Sequence, residues 1–132
     1  MKEGASVILL LSSPWGPLLY APGFVHIDLK FLPQLPGQKK RRYLYVAIDR
    51  ASRWVFHQTR PDKTAASARR FLRDLAKAAP FRITKILTDN GKEFTDRLFR
   101  PGRQYKPSGH HEFDQLCAAL DIEHRLIKPR HP

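Results

Sequence analysis

The stretch "FVHIDLKF" alternates strictly. Phe24, His26, Asp28 and Lys30 fall on one face, and Val25, Ile27, Leu29 and Phe31 on the other. A period of two with one continuous apolar face predicts a half-buried β-strand. "PQLPGQKKRR" follows, with two prolines, a Pro-Gly turn and a basic run, and reads as a loop. "YLYVAID" and "RWVFHQT" are two more strands, separated by Arg50, Ala51 and Ser52 at hairpin distance. The period then changes. In "DKTAASARRFLRDLAKAAP", Ala65, Ala68, Leu72, Leu75 and Ala79 recur at helical spacing, with Phe71 and Ala76 widening the stripe. Asp62 or Thr64 can cap that helix, and Pro80 cannot continue it. Arg69, Arg70, Arg73 and Lys77 lie on the other face, where a solvated surface is the expectation.

"RITKILTD" reads as a fourth strand. Coming after a helix, it fits a β-α-β crossover onto a parallel neighbour. The loop "RPGRQYKPSG" leads to a second helix, which starts at His110, His111 and Glu112. Phe113, Leu116, Cys117 and Leu120 form its core stripe, so Cys117 is expected to pack rather than react. "IEHRLI" is a short fifth strand, and "KPRHP" ends the sequence. The pattern therefore predicts an α/β fold with a mixed five-stranded sheet, in which three antiparallel strands precede an α-β-α-β segment. No internal repeat is present.

Composition narrows the partners. In 132 residues, 24 Lys and Arg stand against 12 Asp and Glu, a net charge of +12. Such an excess points to a polyanion, nucleic acid ahead of an anionic membrane. A single cysteine allows no intrachain disulfide and points to a reducing compartment. One cysteine with six histidines does not make a structural zinc finger. The apolar opening "SVILLLSSPWGPLLYA" is broken by Pro14, Gly16 and Pro17 before it reaches membrane-spanning length, and Glu3 spoils a signal peptide's positive start. Residues 1–22 are thus expected to be a leader, and residues 23–132 the domain, in the cytoplasm and without a membrane partner.

Two acids stand out. Asp28 lies inside the first strand, where a carboxylate is costly unless paired or bound to a cation. Asp89 closes the fourth, and ligands of open α/β sheets favour the carboxyl ends of strands. Two hard oxygen ligands at a sheet edge suit Mg²⁺ or Mn²⁺, although spacing does not show that they meet. Asn90 and Gly91 after Asp89 are turn residues that would leave its carboxylate displayed. Asp49 also ends a strand, but it precedes a hairpin link where Asp commonly bonds the turn backbone, so a structural role is expected. The run Lys39, Lys40, Arg41 and Arg42 reads as a phosphate-contacting or solvated loop ahead of a nuclear signal.

"VHIDLK", "LTDNGKEF" and the closing "KPRHP" together resemble the catalytic core of DDE-type transposases and retroviral-type integrases, closest to bacterial insertion-sequence transposases. The resemblance runs from about Gly23 to Pro132. It implies a ribonuclease H-like fold with the first and fourth strands side by side, and Asp28 and Asp89 as the first two metal-binding aspartates. The implied activity is cleavage and transfer of DNA strands by two Mg²⁺ or Mn²⁺ ions, on double-stranded DNA, with a homo-oligomer in the intact parent and a nucleoid-associated location. Lys92, Lys128 and Arg130 join the basic loop as expected DNA contacts. The family's third ligand is a glutamate in Gln-x-x-Gly-x-x-Glu after the segment matched by "KPRHP". Glu123 and Glu93 do not match that position. The expectation is therefore a truncated core lacking the later helices, with an apolar sheet face exposed and little or no activity. A non-catalytic DNA-binding remnant and another ribonuclease H-like nuclease stay open beside it.

Overall fold

The alternating segments pair into one sheet. In the computed structural model, which describes residues 21–89, 91–96 and 107–127, five strands take the order β3-β2-β1-β4-β5. They are β1 (Phe24–Leu32), β2 (Arg42–Asp49), β3 (Val55–Arg60), β4 (Lys85–Thr88) and β5 (Glu123–Leu126). Helix α1 (Ala65–Ala78) joins β3 to β4, and α2 (Glu112–Ala119) precedes β5. β1 to β3 form the antiparallel meander, whereas β4 pairs parallel to both β1 and β5. Residues 1–20, Asn90, 97–106 and 128–132 lie outside the described residues. That includes Lys128, Arg130, the "KPRHP" ending and nearly all of the expected leader.

Alternation decides which face each strand buries. Val25 and Ile27 of β1, Tyr45 and Ala47 of β2, and Ile86 of β4 are fully buried against Ala68, Phe71, Leu72 and Leu75 of α1. The helix begins where the sequence places its cap: Thr64 Oγ1 accepts from Ser67 N at 3.1 Å, and Asp62 accepts from both the Thr64 and Ser67 hydroxyls. Arg70, Arg73 and Lys77 face solvent, and Arg69 reaches Glu112 of α2 at 3.4 Å. The apolar face of β1 outruns the core, since Phe31 is 57% exposed and meets Tyr43 and the Arg41 and Lys63 cations instead. The strand is longer than the layer that covers it.

α2 is capped by His111, whose Nδ1 accepts from Phe113 N, and it buries Phe113, Leu116 and Cys117. Burial, helped by the Asp114 charge, pushes the Cys117 thiol up to about 12, so it stays protonated and packs. The helix stops at Asp121, which adopts a left-handed φ of 59° while Ile122 N returns to Cys117 O at 2.8 Å. Among the described residues no helix is long and apolar enough to cross a membrane.

Candidate metal centre

The pairing of β1 with β4 sets the site. Phe24 stands level with Lys85, Val25 with Ile86, and His26 with Leu87. The ladder ends there; continued by two positions, the same register would bring Asp28 level with Asp89, which follows the last residue of β4. Alternation then puts both on the face opposite α1, with His26 and Leu87, while Ile27 and Thr88 turn toward the helices. Adjacent strands lie about 4.8 Å apart, so level residues on one face are near neighbours.

Asp28 is not the desolvated carboxylate that its place inside a strand suggests. Its side chain is 47% exposed; Oδ1 accepts from Leu29 N at 2.9 Å and Oδ2 pairs with Lys30 at 3.2 Å. An exposed pair of this kind is weak, and a divalent cation can displace the ammonium. Asp89 is turned by the residues after it: its Oδ1 accepts from Gly91 N at 2.8 Å. A carboxylate keeps acceptor capacity beyond that one bond. A pair of carboxylates suits Mg²⁺ or Mn²⁺, which accept one or two protein carboxylates and fill the remaining positions with water. Among the described residues, no group of three His, Cys, Asp or Glu is placed to hold a metal.

Gly91 lies close under the Glu93 side chain. A Cβ there would run into the Glu93 carboxylate, with Oε1 at 2.6 Å and Cδ at 2.7 Å. Glu93, which the sequence assigns to the "GKEF" turn, is 6% exposed within that turn. Burial raises its pKa above the usual carboxylate range. The Asp89 charge adds to the rise, while its own backbone N–H, Lys63 and His111 oppose it. The sign follows directly. The folded state holds a proton that the unfolded chain has released, so stability falls as pH rises through that window. Glu93→Gln is therefore expected to melt higher than wild type at pH 7, with the difference closing toward pH 4. Thermal melts at both pH values check this, and an equal difference at both would contradict it.

The remaining acids sort by contact. Asp49 is fully buried and accepts from Gly23 N at 2.8 Å, Ser52 N at 2.7 Å and Ser52 Oγ at 2.7 Å. It ties the start of β1 to the β2–β3 hairpin, as turn chemistry predicts. Glu123 is exposed and pairs with Arg125. His111 serves the helix cap, its Nε2 donating to Lys92 O at 2.8 Å, and Lys92 itself is exposed. Lys39, Lys40, Arg41 and Arg42 are all exposed on and beside the β1–β2 connection, with Arg42 already in β2 opposite Leu32.

A second basic group is not visible in the sequence. Arg50, Arg125 and Lys85 converge on the Phe24 ring at 4.7, 5.7 and 5.9 Å, beside a cavity of about 700 Å³ that Leu87, Pro107 and Glu123 help to line. Their positions in the chain are scattered, and only the sheet gathers them.

Comparison with known proteins decides the lineage. The family model described as "Integrase core domain" matches residues 21–132. The chain belongs to that family. No curated protein matches it. The integrase core fold recurs in the catalytic core domain of BIV integrase, with a TM-score of 0.61 and 20% identity over 85% of this chain and 59% of that one. The HTLV-2 integrase catalytic core domain in complex with magnesium, in a trimeric form, gives a TM-score of 0.61 and 17% identity over 83% of this chain and 62% of that one. The simian T-cell lymphotropic virus intasome in complex with PP2A regulatory subunit B56 gamma gives a TM-score of 0.61 and 21% identity over 80% of this chain and 32% of that one. This chain thus spans less than two thirds of each of those chains. At these identities the neighbours establish the fold, which is the ribonuclease H-like one that the resemblance to integrase cores implies.

Proposed function

We propose that this integrase core acts in the cutting and joining of double-stranded DNA, with Asp28 and Asp89 as ligands for Mg²⁺ or Mn²⁺. The observation that supports this reading is the parallel β1–β4 pairing, whose register, continued two positions beyond His26 and Leu87, would bring Asp28 level with Asp89. When bound, such ions activate an attacking oxygen and stabilise the leaving one. The protein's part is to fix the ligands. β1 holds Asp28 on the central strand, and the Gly91 amide orients the Asp89 carboxylate. Asn90 and Gly91 are turn-forming by type, in keeping with a carboxylate displayed at Asp89. Lys39, Lys40, Arg41, Arg42 and Lys92, joined by Lys128 and Arg130 of the closing segment, supply phosphate contacts that position DNA without reading its sequence. Arg50, Lys85 and Arg125 add charge on the face that carries the aspartates. Residues 23–132 form the working domain, residues 1–22 precede it, and assembly into oligomers at the nucleoid belongs to the same proposal.

Calorimetric titration with Mn²⁺ tests the ligand assignment. Asp28→Asn and Asp89→Asn each remove an anionic oxygen at nearly constant volume, and each is expected to weaken binding by about ten-fold or more. Equal affinities in wild type and both variants would make the carboxylates structural.

A further inference from the structure

Behind Asp89, on the helix-covered side of the sheet, three polar side chains are buried in a line. Thr88 of β4 is fully buried, and the side chains of His124 of β5 and Asp114 of α2 are 3% and 4% exposed. His124 Nδ1 lies 2.6 Å from Asp114 Oδ1, and His124 Nε2 lies 2.7 Å from Thr88 Oγ1. The Thr88 hydroxyl also donates to the backbone carbonyl of Asp89 at 3.2 Å. Asp114 is anchored at its far end, where Oδ2 accepts from Gly109 N at 3.0 Å. The imidazole is held edge-on by Phe113 at 5.0 Å, and Phe94 holds Phe113 in the same way at 5.2 Å.

Burying three polar groups is unfavourable unless each is satisfied, and a satisfied network fixes its members rigidly. Here the bonds can be satisfied together. One ring nitrogen faces the Asp114 carboxylate and the other the Thr88 hydroxyl, which also lies within reach of the Asp89 carbonyl. The line ends on the main chain of the residue whose carboxylate Gly91 orients from the other side of the strand. Thr88 and Asp89 point to opposite faces, so the network reaches the ligand through its backbone and not by touching the cation.

We propose that Asp114, His124 and Thr88 are positioning residues, a buried relay that locks the end of β4 and so holds the Asp89 carboxylate in place for its cation. The proposal rests on the reading of Asp28 and Asp89 as metal ligands. A purely structural network would make stability depend on these residues and leave cation affinity alone. A positioning network makes affinity follow the hydroxyl of Thr88.

The experiment is a calorimetric Mn²⁺ titration of the 132-residue chain and its Thr88→Val, Thr88→Ser and Asp28→Asn variants, each with a thermal melt. Valine keeps the volume and loses the hydroxyl, whereas serine keeps the hydroxyl and leaves a small cavity. Thr88→Val is expected to bind Mn²⁺ about ten-fold more weakly and Thr88→Ser within about two-fold of wild type, the range seen when a ligand's supporting hydrogen bond is removed or kept. A folded Thr88→Val that binds as tightly as wild type overturns the relay, as does a Thr88→Ser as weak as the valine variant. If Asp28→Asn leaves affinity unchanged, the ligand assignment itself has failed. Should Thr88→Val not fold, NMR of the wild-type chain decides: Mg²⁺ is expected to shift the His124 ring resonances, and unmoved resonances at saturation overturn the proposal.

Discussion

Raising salt from about 50 to about 200 mM is expected to weaken binding of this chain to duplex DNA by on the order of 10³-fold, the loss that about six neutralised phosphates produce. The charge that drives binding is the excess of 24 Lys and Arg over 12 Asp and Glu. Much of it sits where a backbone can reach it: Lys39, Lys40, Arg41, Arg42 and Lys92 are exposed, and Arg50, Lys85 and Arg125 crowd one aromatic ring on the face of the aspartates. Each contact releases counterions, and added salt reverses that gain. Fluorescence anisotropy with a labelled duplex at several salt concentrations measures the slope. A second duplex of unrelated sequence should give nearly the same curve, because phosphate contacts carry no sequence information. A flat salt response would remove the electrostatic basis for the proposed function.

Phe71→Ala is expected to cost about 3–5 kcal/mol, a large part of the roughly 5–15 kcal/mol that holds an ordinary domain folded. Phe71 is fully buried on α1, with the Tyr45 ring at 5.4 Å and the Phe56 ring at 5.6 Å. It is the point where α1 meets β2 and β3. Tyr45 adds a second tie, its hydroxyl donating to Asp62 O at 3.1 Å beside the start of the helix. Truncating Phe71 therefore opens a cavity between the helix and the meander, and partial collapse cannot refill it. Phe31→Ala is the control, since a ring 57% exposed should cost well under about 1 kcal/mol. Urea unfolding of both variants measures the difference. Equal losses would mean that the α1–sheet interface does not carry the fold.

The elements of this fold are legible because their causes are local. "FVHIDLKF" alternates, "AASARRFLRDLAKA" repeats at helical spacing, and Thr64 caps the helix that the change of period announces. Strand ends are less legible: β4 is Lys85–Thr88, inside the longer run "RITKILTD", because pairing is limited to Lys85, Ile86 and Leu87 against both β1 and β5, with Thr88 paired to β5. Asp49 is legible as a turn acid from its place before a hairpin link, and its bonds to Gly23 and Ser52 agree. The exposed basic run and the buried Cys117 follow from composition and periodicity in the same way.

Local pattern thus accounts for the strands and helices, the basic run, and two aspartates whose motif marks them as candidate ligands. How distant residues meet is a matter of packing between elements. β1 lies beside β4 only through a parallel pairing of strands separated by a hairpin and a helix, and the proposed closeness of Asp28 and Asp89 rests on that register. Asp114 of α2 and His124 of β5 carry no motif in the sequence, yet packing of α2 on β5 joins them to Thr88 behind the site. Glu93 reads as a turn residue, yet the bend at Gly91 folds its carboxylate into the protein close to Asp89. Periodicity is a property of neighbours along the chain and survives in any short window. Register and burial arise from contacts between segments far apart in sequence, which no local window contains.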